Sequence, residues 1–90
     1  MITGRQVRAA RALLNWKQDM LAEKALVALT ALKRLESERG LQVHESTQDQ
    51  VRRALETAGI VFMNSAQGKG VMLMNVNSPP PAQKSSLAGA

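Results

Sequence analysis

The sequence predicts a mainly α fold: a four-helix domain carrying a helix-turn-helix over residues 1–59, then a C-terminal β-hairpin over 60–76 and a disordered tail over 77–90. Three observations carry this. Up to Gly59 apolar residues recur at helical spacing, and Ala and Leu dominate over the two aromatics, Trp16 and Phe62, which suits closely packed helices. At Ile60 the period changes to two short apolar runs around a Gly-containing connection. From Asn77 onward the chain falls mostly to Ser, Pro, Ala, Gln and Gly, and around the stiff Pro79-Pro80-Pro81 there is little to bury.

Thr3 is placed to cap a first helix over Gly4 to Leu14, whose Val7, Ala10 and Leu14 share one face. Arg5, Arg8 and Arg11 mark another face, either solvated or in reach of phosphates. Asn15 ends this helix and Trp16 is a packing anchor between helices. The stretch Lys17 to Glu36 holds two short helical segments joined at Ala25-Leu26-Val27-Ala28. Leu21, Ala22 and Ala25 form the apolar stripe of the first, and Leu32 and Leu35 that of the second. Helices of two or three turns are marginal alone, so the pair must lean on its neighbours.

Ser37 to Gly40 is a polar exit with Gly40 as terminator, followed by a loop over 41–46 in which the single histidine, His44, is solvent-exposed. A fourth helix is expected from about Gln48 to Ala58, with Thr47 and Gln50 spaced as a capping box and Gly59 as its stop. Val51, Ala54, Leu55 and Ala58 line its inner face. Arg52 and Arg53 lie outside, solvated or near phosphates. Ile60 to Met63 and Val71 to Met74 are the strands of the hairpin, and Gly68-Lys69-Gly70 is turn chemistry, since the remaining residues of a phosphate loop are absent. Strands apolar on both faces need a second cover, which points to dimerisation through residues 60–76.

Ninety residues allow one compact core, and twelve basic against seven acidic residues leave a net charge of +5, compatible with a polyanionic partner. Without cysteine there is no disulfide framework and no thiolate chemistry. One histidine with no carboxylates clustered near it assembles neither a catalytic constellation nor a metal site, so no enzyme, metal or cofactor is expected. The arginines near the N-terminus and the lack of a long apolar run lead us to expect a cytoplasmic, soluble protein with no membrane partner.

Gln18, Leu21-Ala22, Ala25, Val27, Leu32, Leu35 and Glu36 stand at spacings that resemble the helix-turn-helix of the lambda-repressor-like (XRE, Cro/CI-type) DNA-binding domains, a likeness covering roughly residues 3–59. Two positions depart from that pattern. The turn glycine is Leu26, and the capping Ser or Thr of the recognition helix is Ala28. Each departure costs on the order of 1 kcal/mol, by positive φ at a non-glycine residue and by a lost cap respectively.

The resemblance implies a sequence-specific regulator of transcription that binds double-stranded DNA as a homodimer, with Ala28 to Glu36 as recognition helix. It places Gln18, Ala28, Leu29, Thr30, Lys33 and Arg34 at the DNA. Gln18 would donate to a phosphate or serve as a local cap. Leu29 would pack on a thymine methyl, Thr30 would bond a base edge or phosphate, and Arg34 would bond guanine O6 and N7, with Lys33 beside them. Glu36 is expected to be a helix-end or salt-bridge residue. The alternative is a degenerate helix-turn-helix that binds protein, as an adaptor, antiactivator or antitoxin, through the apolar Leu29.

Overall fold

The structure, a computed structural model, describes residues 2–37 and 43–75. In chain order these form α1 (Gly4–Leu14), α2 (Gln18–Ala25), α3 (Leu29–Glu36), α4 (Glu45–Thr57), β1 (Ile60–Asn64) and β2 (Lys69–Leu73). The expected terminator Gly40 and the tail over 77–90 lie outside the described residues. None of the described helices is long and apolar enough to cross a membrane.

Thr3 caps α1 as expected, and Gln6 completes a capping box. The Gln6 amide N–H donates to the Thr3 hydroxyl, and the Gln6 side-chain oxygen accepts from the Thr3 N–H at 3.0 Å. Gln6 is buried, and its Nε2 also donates to the carbonyls of Met63 at 3.3 Å and Gly70 at 3.0 Å. One amide thus closes the helix start and holds the hairpin against it. At the other end Asn15 takes a left-handed conformation, which asparagine tolerates, and the Trp16 N–H returns to the Arg11 carbonyl.

Helix α2 also ends on a left-handed residue, Leu26, at φ 60° and ψ 43°. The Val27 N–H bonds the Ala22 carbonyl, so the turn geometry of a glycine is reached by a leucine at the cost of backbone strain. Its side chain recovers nothing from the core, being 82% exposed. Leu26→Gly should therefore stabilise the protein by roughly 0.5–1 kcal/mol after the greater chain entropy of glycine is subtracted. Urea unfolding checks this, and a loss of stability on substitution would show that the turn is not strained.

Helix α4 begins at Glu45, three positions before the residue expected to open it, and Thr47 and Gln50 do not form its cap. The His44 carbonyl accepts the N–H groups of Thr47 and Gln48, so the first turn is already wound ahead of Thr47. No side chain caps this end; Glu45 in the first turn faces the positive end of the helix dipole. Gly59, at φ 107°, stops the helix as expected.

The strands pair antiparallel with Ile60 opposite Leu73, Phe62 opposite Val71 and Asn64 opposite Lys69. Lys69 and Gly70 belong to β2 rather than to the turn, which is the Ala66-Gln67 tip closed by reciprocal bonds between Ser65 and Gly68. Ile60, Phe62, Val71 and Leu73 turn to the helices, whose core is Val7, Ala10, Leu21, Leu32, Val51 and Leu55 with their neighbours. Val61, Met63 and Met72 point the other way, so the second face of the hairpin is apolar too.

Candidate functional site

Helix α3 is a short element with two opposed faces. Leu32 and Leu35 are buried, while Leu29, Thr30, Lys33 and Arg34 are exposed on the opposite side. At about 100° per residue these four cover one continuous side of the helix. Ala28 precedes it with extended backbone and supplies no side-chain cap to the first turn.

What fixes α3 is Glu36, which is buried at 3% exposure yet charged. Its carboxylate accepts two bonds from one guanidinium, Arg11 Nε at 2.7 Å and Nη2 at 2.8 Å, and a third from Gln18 Nε2 at 2.8 Å. Arg8 Nη1 donates to the Glu36 main-chain carbonyl. Arg11 also reaches the Trp16 carbonyl at 3.2 Å. Helices α1, α2 and α3 therefore meet on one carboxylate, and a bidentate fork is the strongest geometry available for such a pair.

This sorts the cations that the sequence left open. Arg11 is neither a solvated cation nor a phosphate contact: its side chain is 18% exposed and committed to Glu36. Gln18 does not cap α2. One of its two amide N–H groups is held by Glu36, which leaves the other for an outside acceptor. Arg52 is bonded to Asp49 and Glu56, and Arg53 to Asp49 at 3.1 Å. The hydrogen bond and charge of Asp49, aided by Glu56, raise the Arg52 pKa above its ordinary value. Lys33 and Arg34, by contrast, have no side-chain partner among the described residues. Both are exposed on the same side of α3, and Arg34 also lines a hollow with His44 and Glu45 at the start of α4.

Trp16 is half-buried against the core, and Lys24 Nζ lies 5.3 Å from its ring centroid, so the expected packing role is observed together with a cation–π contact. His44 is exposed as expected. Among the described residues no three potential metal ligands come together. The sequence reading missed Gln6, although Thr3 and Gln6 have the spacing of a capping box. It also missed the Gln18 bond to Glu36, for which no local signal exists across eighteen positions. No protein-family model matches the chain, and no curated protein matches it.

Proposed function

We propose that the chain is a sequence-specific DNA-binding regulator of transcription with a helix-turn-helix domain of lambda-repressor type, acting as a dimer on a pseudo-palindromic operator. The observation that carries this reading is the exposed side of α3, where Leu29, Thr30, Lys33 and Arg34 stand together while Leu32, Leu35 and Glu36 hold the helix from behind. A helix anchored in this way can enter the major groove without moving, and its four outward side chains offer apolar, hydroxyl and cationic contacts to base edges and phosphates. Gln18 retains one N–H for a phosphate. A two-fold dimer doubles a small set of contacts, and the apolar second face of the hairpin, with Val61, Met63 and Met72, is the surface through which it would form.

Fluorescence anisotropy with the DNA upstream of the chain's own gene and with scrambled DNA, each at two salt concentrations, tests the reading. Tight binding to the first and weak, salt-sensitive binding to the second is expected. Arg34→Ala should weaken the specific complex roughly tenfold, the low end for loss of a base contact, with little change on scrambled DNA. Equal weak binding to both DNAs would overturn it. Binding of a protein that survives Arg34→Ala and fails with Leu29→Asp would favour the adaptor reading.

A further inference from the structure

Leu26 is a second anomaly of the α2–α3 turn besides its backbone. It is the most exposed of the large apolar side chains among the described residues, and it is absent from the set that packs on the core. It walls a groove of ≈ 550 Å³ between the end of α2 and α4, with Trp16 as the other large side chain and Ala54 and Ala58 on the α4 side. Among the described residues Lys24 and Arg53 are the charged ones lining it, and no carboxylate does. Arg53 is 73% exposed, so its bond to Asp49 leaves other N–H groups facing solvent.

We infer that this groove docks an acidic amphipathic helix of a partner protein, whose apolar side chains lie along Leu26, Trp16 and the α4 alanines while its carboxylates meet Lys24 and Arg53. Small residues on α4 leave room for incoming side chains, and the uniform sign of the lining charge selects the sign of the occupant. An open trough with an 82% exposed wall does not enclose a small molecule, which a ligand site does. None of the lining residues is on α3 or among those placed at the DNA, so this inference does not rest on the DNA reading.

Trp16, the single tryptophan in a chain without tyrosine, reports on the groove. The probe is a synthetic helical peptide with Leu at i, i+3, i+4 and i+7 and Asp or Glu elsewhere, against the same peptide with Lys in place of the acids. A saturable change in Trp16 emission is expected with the acidic peptide, and binding about tenfold weaker in Leu26→Gly and in Lys24→Glu. Lys69→Glu, which changes net charge equally on the distant hairpin, should bind as the parent does. Urea unfolding of Leu26→Gly, expected to be at least as stable as the parent, separates loss of the docking side chain from loss of the fold. The inference is overturned by an absent response, by equal binding of the basic peptide, by equal weakening in Lys69→Glu, or by a groove found covered by a second copy, seen as a monomer on sedimentation of Leu26→Gly but a dimer of the parent.

Discussion

Replacing Glu36 by alanine should cost the fold about 3 to 5 kcal/mol, the range for removing one partner of a buried ion pair. The side chain is 3% exposed and receives three hydrogen bonds, two from Arg11 and one from Gln18. Its removal strands the Arg11 guanidinium, itself 18% exposed, in a site from which water is largely excluded. Small domains hold roughly 5 to 15 kcal/mol in all, so the variant should be close to unfolding at ambient temperature. Glu36→Gln preserves shape but turns an N–H toward the guanidinium, and should recover less than half of the loss. Arg11→Met with Glu36→Leu removes both charges and should be milder than Glu36→Ala alone, because no charge is left unpaired. Urea unfolding of the four proteins checks the set. A loss below about 1 kcal/mol in Glu36→Ala, typical of exposed pairs, would mean that the carboxylate does not tie the three helices together.

The helices and the hairpin were legible because their signals are periodic and local. Val7, Ala10 and Leu14, or Leu21, Ala22 and Ala25, mark a face by spacing alone; Thr3 opens α1 through its hydroxyl, and Asn15 and Gly59 end helices by their own backbone preferences. The start of α4 was misplaced because Thr47 and Gln50 imitate a capping box, whereas the first turn is wound from the His44 carbonyl with Glu45 at its dipole. In the hairpin, Gly68 and Gly70 drew the turn toward themselves. The tip is instead Ala66-Gln67, which closes through bonds to Ser65 and needs no left-handed residue.

The exposed side of α3 was equally open to spacing, since once Leu32 and Leu35 face inward, Leu29, Thr30, Lys33 and Arg34 can only face out. What spacing did not separate was one arginine from another. Arg8 and Arg11 read like Arg34, yet they serve the inside of the protein, through a carboxylate and a carbonyl of Glu36 that lie more than twenty residues away. Such partners belong to tertiary structure, and a cation's role is settled by them rather than by its place on a helical wheel.

The same α1–α3 junction makes Gly4 a second position where one substitution should be severe. Alanine normally improves a helical glycine by up to about 1 kcal/mol, through lower chain entropy. Here a Cβ would lie 2.5 Å from the Leu35 carbonyl oxygen, 3.0 Å from Glu36 Cα and 3.1 Å from Glu36 C. All three atoms are backbone, so no side chain can swing aside and the two helices must part. Gly4→Ala should thus reverse sign and cost about 3 kcal/mol, the upper end of overpacking penalties. Separation of α1 from α3 also lengthens the bonds of Arg8 and Arg11 to Glu36, so DNA affinity should fall with stability if α3 reads DNA. Gly68→Ala is the matched control, because nothing lies within 4 Å of its Cβ. Thermal unfolding should show Gly4→Ala lowered by more than roughly 10 °C and Gly68→Ala nearly unchanged. Equal melting of the two variants would mean that the helices yield freely at their closest approach, and that Glu36 alone positions α3.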